Sequence, residues 1–288
     1  MKIAMIGTGL MGIPMAERLL ESGHDLIAFN RTRSKTLPLE QQGATVAGTP
    51  REAIEDSDLA ILMLTDAAAI RATLETHGRL PDLSGCTLCQ MGTIAPRESI
   101  ALLEDTQRTG GEYLEAPVLG SRPQARTGKL IVMVGGEENQ FLRWREVLCA
   151  LSETPQRVGR VGQAAAMKLA FNQLIAAELT GFSTALGLIR HHQIEVGDFM
   201  TLLRQSALYA PTFDAKLPRF EAGDFTEPNF PARLLLKDLR LAKMVADEVG
   251  LHTSALEGLC RLLNDAVDQG RGDDDYSVVS SMVDPSRS

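Results

Sequence analysis

Lys168 could donate or accept a proton, with Asn172 as its partner, in an otherwise apolar stretch of the chain. Their spacing of four places them on one face of a helix. Lysine is seldom buried unless it forms an ion pair or takes part in the protein's function. When a carbonyl gains a hydride, negative charge develops on its oxygen, and an ammonium can stabilise that charge and supply the proton. Asn172 would hold the lysine or the substrate oxygen; the alternative is a lysine that snorkels from a domain interface.

A glycine-rich segment near the start of the chain predicts a dinucleotide site. Residues 7–12 read G-T-G-L-M-G, directly after an apolar strand and before a helix. The first glycine permits a tight turn, the second lets the backbone approach a pyrophosphate, and the third lets helix and strand pack closely. The alternative is a plain tight turn. The expected cofactor contacts in this loop are Gly7, Gly9, Leu10, Met11 and Gly12.

The end of the second predicted strand indicates which dinucleotide binds. NAD sites usually carry an acidic residue there for the ribose 2′-hydroxyl, whereas this chain has Asn30, Arg31 and Thr32. A carboxylate would repel a 2′-phosphate, while Arg31 can offer charge-assisted hydrogen bonds and stack on adenine. We therefore expect NADP(H). The alternative is a solvated basic loop on the surface.

The first half of the chain alternates strand-like and helix-like segments, as a doubly wound α/β domain requires. Several of its apolar runs suit parallel strands that are covered on both faces. The strand candidates are KIAMIG, DLIAFN, LAILML, CTLCQM, EYLEAP and KLIVMVGG. The helix candidates are 11–22, 50–56, 96–109 and 137–151. The fold class predicted is a Rossmann-type parallel sheet followed by an all-helical C-terminal domain.

Strand signals stop near Gly162, so we place a cofactor domain at 1–161 and a helical substrate and oligomerisation domain at 162–288. Residues 163–191 form one helical pattern that is apolar nearly all round, which predicts a buried helix. Further helices are expected at 234–249 and 254–269. The proline-rich segment 210–231 is predicted to be an ordered loop, and the tail 273–288 to be polar and loose at its end, with 273–275 a solvated acidic run.

Composition excludes several classes of function. The net charge of −8 and the pI near 5.2 argue against a nucleic-acid partner, which needs a basic face. The sequence contains no run of about 20 apolar residues, so we predict no membrane span. Four cysteines in 288 residues are too few for a disulfide framework, which favours a reducing cytoplasm. Cys86 and Cys89 would point to opposite faces of a strand, and we expect no metal site.

Ordered motifs along the whole chain resemble the β-hydroxyacid dehydrogenase family, and most closely its glyoxylate/succinic semialdehyde reductase branch. The segment IGTGLMGIPMAERLLESGH is similar to the family's cofactor signature. Residues 90–96 resemble the D-x-S-T-x-x-P segment, and residues 115–121 resemble the segment usually written P-V-S-G. The Lys168 and Asn172 helix, and Phe230 followed by Lys237 and Asp238, complete the similarity.

The resemblance implies roles for individual residues. Lys168 would be the catalytic acid/base, with Asn172 as its partner. The implied substrate contacts are Gly120, Ser121, Thr93, Phe230 and Asp238. The implied cofactor contacts, besides the glycine loop, are Asn30, Arg31, Thr32, Met63, Leu64, Thr65, Thr93 and Lys237. The implied activity is NADPH-dependent reduction of a small aldehyde acid, of the glyoxylate or succinic semialdehyde type.

Two other functions stay open from the sequence. One is an NAD(P)-dependent 3-hydroxyisobutyrate-type dehydrogenase, and the other is a non-catalytic NADP-binding scaffold. The chain departs from the family at Leu119, where serine is usual, and at Gln90 and Gly92, which replace an acidic residue and a serine. Arg122 could supply a lost anion contact or simply lie on the surface. The long apolar helix also predicts a homodimer or homotetramer.

Overall fold

The first strand shows how the sheet is covered. In β1 (Lys2–Ile6), Ile3 and Met5 belong to one apolar core, and Ala4 and Ile6 belong to another. Alternate side chains of a strand point to opposite faces, so both faces of this sheet are buried. The predicted Rossmann-type layering is confirmed. The computed structural model describes residues 1–285, and the chain forms two compact units, Met1–Lys168 and Leu169–Ser288.

Within residues 1–285 the first unit contains a nine-stranded sheet. Its central order is β3-β2-β1-β4-β5-β6, all parallel, followed by β8, which runs antiparallel to β6. Strand β7 pairs antiparallel with β8, and β9 pairs parallel with it. The remaining strands are β2 (Asp25–Phe29), β3 (Thr45–Val46), β4 (Leu59–Leu62), β5 (Thr87–Gln90), β6 (Glu112–Glu115), β7 (Val118–Leu119), β8 (Ile131–Gly135) and β9 (Gln156–Gly159).

Short helices connect these strands and cover the sheet. Thr49 caps α3 by accepting a hydrogen bond from the Glu52 N–H, and Pro50 occupies the first helical position, as the sequence indicates. The helices of this unit are α1 (Gly12–Glu21), α2 (Leu37–Glu40), α3 (Pro50–Glu55), α4 (Ala67–Leu74), α5 (Pro96–Arg108), α6 (Arg122–Arg126) and α7 (Glu138–Leu151). The sequence missed β3, β7, β9, α2, α4 and α6, which are all short except α4.

The second unit is helical over its described residues and packs around its own aromatic core. The rings of Phe182 and Phe213 stack with centroids 4.5 Å apart, and Phe220 lies 5.9 Å from Phe182. Helix α8 (Gln163–His191) begins in the first unit and continues into this one. It is followed by α9 (Val196–Gln205), α10 (Pro211–Ala222), α11 (Ala232–Glu248), α12 (Ser254–Asp268) and α13 (Val279–Val283), with a short 3₁₀ turn at Tyr276–Val278.

Helix α8 has the bounds expected from the sequence, but the prediction that it is buried nearly all round is wrong. Met167, Phe171, Leu174 and Leu188 are between 36% and 61% exposed. They fall on one helical face because their spacings follow the helix repeat. The prediction of a homo-oligomer that covers this face stays a prediction. No helix among residues 1–285 is long and apolar enough to cross a membrane.

The prediction of a loop at 210–231 is also wrong, because α10 occupies its first half. Pro211 stands at the first helical turn, where proline is tolerated. Pro218 lies inside the helix, and Gly223 ends it with a positive φ of 66°. Buried Phe213 and Phe220 are spaced by seven residues, a helical repeat that the count of prolines obscured.

The predicted solvated acidic run at 273–275 is wrong for Asp275, although Asp273 is exposed. Asp275 is 0% exposed, and its carboxylate accepts a hydrogen bond from the Lys216 ammonium at 2.6 Å. The hydroxyl and N–H of Ser277 donate to the same carboxylate. Burial alone would raise the pKa of Asp275, but Lys216 and Ser277 hold that pKa below its ordinary value. Residues 286–288 of the predicted tail lie outside the described residues.

We predict that Asp275→Asn lowers the free energy of unfolding by about 3 kcal/mol, because it leaves the Lys216 ammonium buried without its counter-charge. The folded state lowers the pKa of Asp275, so its stabilising effect is complete above the unfolded pKa and is lost as the pH falls through the folded pKa. Urea unfolding between neutral pH and pH 3 measures both effects. The variant should lose less stability on acidification than the native chain.

The matched control for this measurement is Asp273→Asn. Asp273 accepts a hydrogen bond from Arg233 at 2.6 Å, but the two side chains are 84% and 51% exposed. Exposed pairs contribute little, so the unfolding midpoint should not move. Equal losses in the two variants would contradict the special role of the buried pair.

Candidate active site

The glycine loop joins β1 to α1 and has the backbone that its glycines require. Gly7 has a φ of +102°, and a Cβ there would lie 2.5 Å from the Met63 carbonyl oxygen. A Cβ on Gly12 would lie 1.9 Å from the Gly7 carbonyl oxygen. These two positions exclude a side chain because the protein itself fills the space. The tight turn and the close packing of helix and strand expected from the sequence are therefore present.

Gly9 differs from its two neighbours in the loop. Apart from Gly9 and its two chain neighbours, no atom of residues 1–285 lies within 4 Å of the position where its Cβ would stand, so the described fold does not demand glycine here. Gly9 instead lines a cavity of about 360 Å³. The cavity is bounded by Gly7, Gly9, Phe29, Asn30, Arg31, Thr32, Lys35, Pro50, Met63, Leu64, Thr65, Ala69, Ala72 and Thr73. An open cradle at Gly9 fits a ligand that approaches the backbone closely.

Asn30 ties the glycine loop to the segment after β2. Its Oδ1 accepts a hydrogen bond from the Thr8 N–H at 3.2 Å, and its Nδ2 donates to the Thr32 carbonyl oxygen at 3.0 Å. An amide can make both contacts because it both donates and accepts. Arg31 and Lys35 line the cavity beside it. The site thus presents two cations where an NAD site has an acidic residue.

The loops after β4 and β5 lie against each other. Met63, Leu64 and Thr65 line the cavity, and a Cβ on Gly92 would lie 2.5 Å from the Leu64 carbonyl oxygen. Gln90 is 1% exposed and holds Gly92 at two points: it accepts from the Gly92 N–H at 2.8 Å and donates to the Gly92 carbonyl oxygen at 3.1 Å. The replacement of an acidic residue by Gln90 therefore supplies a donor and an acceptor that fix the turn before Thr93.

The segment after β7 shows what Ser121 contacts. Gly120 is exposed and has a φ of +133°. The Ser121 hydroxyl and N–H both donate to Gln124 Oε1, at 2.6 and 3.1 Å. These are the two donors that the family resemblance assigns to a substrate carboxylate. Leu119, at the end of β7, pairs with Ile131 of β8 and is half-buried.

Lys168 and Asn172 both lie on α8 and are nearly buried, 9% and 1% exposed. Lys168 is the last residue of the first compact unit, which also contains the glycine-loop cavity. Its helical neighbours Ala164, Ala165 and Leu169 are buried and apolar. An ammonium held in such surroundings is the type of group that can stabilise developing negative charge.

In the second unit, Asn172, Asp238 and Lys237 form a polar network. Asn172 Nδ2 donates to Asp238 Oδ2 at 2.6 Å, and the Lys237 ammonium lies 2.6 Å from Asp238 Oδ1. Asp238 is 2% exposed. The Asn172 Oδ1 is buried and has no hydrogen-bond partner within residues 1–285. Phe230 packs edge-on against Tyr276, with centroids 5.8 Å apart.

The residues around the cavity fit a nicotinamide dinucleotide. Gly9 leaves room for close backbone approach in the loop that leads into α1, while the predicted contacts Leu10 and Met11 are not among the residues that line the cavity. Helix N-termini favour phosphate. Sequence reasoning missed Phe29, Pro50, Ala69, Ala72 and Thr73, which also line the cavity. The last three lie on α4, whose start is marked by Asp66 capping the Ala69 N–H, a signal that the sequence offered.

Cys86 and Cys89 belong to opposite apolar cores, as expected for side chains on opposite faces. Burial raises the pKa of the two thiols to about 11 and about 12. Neither thiol is therefore a reactive thiolate at neutral pH. No group of His, Cys, Asp or Glu side chains in the described part of the chain could hold a metal ion.

Two family models together match nearly the whole chain. One, described as the NAD binding domain of 6-phosphogluconate dehydrogenase, matches residues 2–162. The other, described as the NAD-binding domain of NADP-dependent 3-hydroxyisobutyrate dehydrogenase, matches residues 162–283.

Two curated relatives are each 30% identical to this chain. Glyoxylate/succinic semialdehyde reductase 1 of Arabidopsis thaliana aligns over 289 residues, which are 100% of both chains. NAD-dependent L-serine dehydrogenase of Pseudomonas aeruginosa aligns over 298 residues, which are 99% of both chains. The crystal structure of 3-hydroxyisobutyrate dehydrogenase from Salmonella typhimurium has the same fold, with a TM-score of 0.87 at 22% identity over 98% of this chain and 99% of that chain.

The structure of the glycine loop predicts different outcomes for alanine at Gly9 and for alanine at Gly12. Gly9→Ala should leave the melting temperature of the cofactor-free protein unchanged, because the new Cβ would contact no other part of the described fold. The same variant should weaken NADPH binding by about tenfold or more. Gly12→Ala should lower the free energy of unfolding by about 2 kcal/mol, because its Cβ would overlap the Gly7 carbonyl. Thermal melting and a fluorescence titration with NADPH measure both. Native affinity in Gly9→Ala would contradict the ligand cradle.

Proposed function

Since the chain belongs to the β-hydroxyacid dehydrogenase family and is a nicotinamide-dependent oxidoreductase, we propose that it reduces a small aldehyde acid with NADPH. The product is the corresponding hydroxy acid, and the substrate is of the glyoxylate or succinic semialdehyde type. The observation that carries the proposal is a lysine, 9% exposed, among apolar residues of α8. The similarity to an Arabidopsis thaliana glyoxylate/succinic semialdehyde reductase supports this substrate class.

Lys168 acts as the general acid in this proposal. Its ammonium stabilises the negative charge that develops on the carbonyl oxygen and gives that oxygen a proton. In the reverse direction the neutral amine takes the proton from the hydroxyl. Asn172, whose Nδ2 is held by Asp238, orients either the lysine or the substrate oxygen. The bound nicotinamide supplies the hydride in reduction and accepts it in oxidation.

The preference for NADPH is proposed from the residues after β2. Arg31 and Lys35 line the cavity beside Thr32, and Asn30 fixes the backbone between them and the glycine loop. Two cations in a chain of net charge −8 favour a 2′-phosphate, and an arginine can bind it through two parallel hydrogen bonds.

The substrate carboxylate is proposed to bind at Gly120 and Ser121. Gln124 Oε1 holds the Ser121 N–H and hydroxyl in the geometry that one carboxylate oxygen would use. A substrate carboxylate would replace this amide oxygen, and the exchange is favourable because hydrogen bonds to a charged acceptor are stronger. Leu119 supplies no hydroxyl here, which makes this wall of the site less polar.

A second activity is the oxidation of a small hydroxy acid of the 3-hydroxyisobutyrate type, with the same residues working in reverse. The 30% identity to an NAD-dependent L-serine dehydrogenase favours it. A preference for NADPH would argue against an NAD-dependent form of this activity, because an NAD enzyme gains nothing from cations at a 2′-phosphate site. An NADP-dependent form is separated from the reductase by comparing kcat/KM for the aldehyde acids with kcat/KM for the hydroxy acids. The membership of an oxidoreductase family sets aside the non-catalytic scaffold that the sequence left open. Assaying NADPH oxidation against a panel of aldehydes tests the proposed reduction directly.

We predict that Lys168→Met lowers kcat for aldehyde reduction by about a thousandfold while leaving NADPH affinity nearly unchanged, because the proton donor is lost and the cofactor cavity is not. Steady-state kinetics and a binding titration measure the two quantities. The control is Lys243→Met on α11, where the lysine forms exposed pairs with Asp247 and Glu257. Retention of most activity by Lys168→Met would show that the proposed role is wrong.

Arg31→Asp tests the cofactor preference. The substitution places a carboxylate beside the 2′-phosphate, so NADPH affinity should fall by about a hundredfold while NADH affinity changes little. Arg33→Asp makes the same charge change in the same segment, and Arg33 is not among the residues that line the cavity. Parallel titrations of both variants with NADPH and NADH give the comparison. Equal losses for the two cofactors in Arg31→Asp would refute the 2′-phosphate contact.

A further inference from the structure

Glu115 is a buried carboxylate that the proposed mechanism does not use. It is 2% exposed and lies at the end of β6, in register with Gln90 of β5. Its Oε2 accepts a hydrogen bond from the Gly162 N–H at 2.9 Å, and its Oε1 accepts one from the Ala165 N–H at 2.9 Å. Burial raises the pKa of Glu115 above its ordinary value, and hydrogen bonds from the Ser99 hydroxyl and the N–H groups of Gly162, Ala165 and Ala164 offset part of that rise by stabilising the charged form.

Glu115 satisfies the exposed donors at the start of α8. The first turn of a helix has N–H groups without partners inside the helix. Here the Gln163 N–H donates to the Arg160 carbonyl oxygen in a turn, and the Ala166 N–H makes a helical bond four residues back, to the Gly162 carbonyl oxygen. The N–H groups of Gly162, Ala164 and Ala165 are bonded by Glu115. We call this arrangement the Glu115 cap.

The surrounding backbone is built to admit the carboxylate. A Cβ on Gly135 of β8 would lie 2.5 Å from Glu115 Oε1, so only glycine leaves room for it. Gly162 has a φ of +94°, which turns the chain so that its N–H and those of the first helical turn converge on one point. The cap thus joins the sheet to the first turn of α8.

Lys168 follows the cap by one helical turn. It stands three residues after Ala165 and four after Ala164, so it shares their face of the helix. The start of a helix carries partial positive charge and disfavours a cation nearby. A carboxylate bonded to those N–H groups offsets that charge. It also fixes the position of the turn from which Lys168 extends.

We propose that Glu115 is a positioning residue for Lys168: it holds the first turn of α8 to β6 and offsets the partial positive charge of the helix start from which the ammonium extends. This inference rests on the proposed role of Lys168 as general acid. Glu115 does not contact the reacting atoms, and its effect acts through the helix.

The titratable neighbours of Glu115 do not change charge in the working pH range. Tyr113 on the same strand bonds to Ser99, and burial raises the pKa of Tyr113 well above its ordinary value. Burial raises the pKa of Cys89 on β5 to about 12. Neither Tyr113 nor Cys89 therefore contributes to a shift of the pH profile near neutrality.

The test is Glu115→Gln, which keeps the shape and removes the charge. We expect kcat for aldehyde reduction to fall by about tenfold or more, with NADPH affinity unchanged. Loss of a negative charge lowers the pKa of an ammonium. Reduction needs the protonated lysine, so the alkaline limb of the kcat profile should move to lower pH by about half a unit or more. Amide hydrogen exchange at Gly162 and Ala165 should accelerate, because their acceptor is weakened.

Two further variants make the result decisive. Glu112→Gln changes the other glutamate of β6, which forms a partly exposed pair with Arg143 at 3.2 Å, and it should alter none of these readouts. Glu115→Asp keeps the charge but shortens the side chain, so kcat should fall and exchange should accelerate while the alkaline limb stays in place. If Glu115→Gln does not fold, the aspartate variant decides alone, and native kcat and exchange in it would overturn the proposal.

The failure of this inference differs from the failure of the proposed function. If Lys168→Met stays active, the proposed function is wrong whatever Glu115 does. If Lys168→Met is inactive and Glu115→Gln keeps the native alkaline limb, the positioning role is wrong and the proposed function stands. A Glu115→Gln variant with a lower melting temperature and an unchanged alkaline limb of the kcat profile would show that Glu115 is only a structural cap.

Discussion

A helix begins with N–H groups that its own backbone cannot bond, and this constraint organises the first unit. Two of the helices that begin at the carboxyl edge of the sheet show different solutions. At α1 the preceding loop, with Gly7 and Gly9, opens onto the cavity, where we propose that the cofactor binds. At α8 the Glu115 carboxylate, a side chain of the protein itself, accepts hydrogen bonds from the Gly162 and Ala165 N–H groups. One helix start is available for recognition, while the other is fixed and carries Lys168.

The features that the sequence predicted best are those with strong local causes. The parallel sheet follows from apolar runs, the glycine loop from steric demands at Gly7 and Gly12, and the bounds of α8 from an unbroken helical pattern. The features that it missed depend on distant partners. Asp275 reads as part of a solvated acidic run until Lys216, 59 residues away, is seen beside it. Pro218 reads as a helix breaker until Phe213 and Phe220 are seen packed against Phe182.

Candidate site residues divide in the same way. Lys168, Arg31 and the glycines could be named from residue type and spacing, because their chemistry is local. Glu115 could not be assigned a role, because its three amide partners lie about 50 residues further along the chain. Gln90 and Asn30 were noticed as replacements for acidic residues, but the reason appears only in the fold. Each amide bonds a backbone N–H and a backbone carbonyl at once, which a carboxylate cannot do.

The segment from Leu119 to Gln124 shows how substrate choice and backbone geometry are linked in this chain. Gly120 adopts a φ of +133°, which leaves Ser121 to start α6 with its hydroxyl and N–H on the same acceptor. A carboxylate that displaces Gln124 Oε1 keeps both hydrogen bonds and adds charge, whereas a neutral substrate end gains no such advantage. Leu119 removes a hydroxyl from the same wall without disturbing these donors. In the proposed function, this segment would therefore favour acids over neutral substrates.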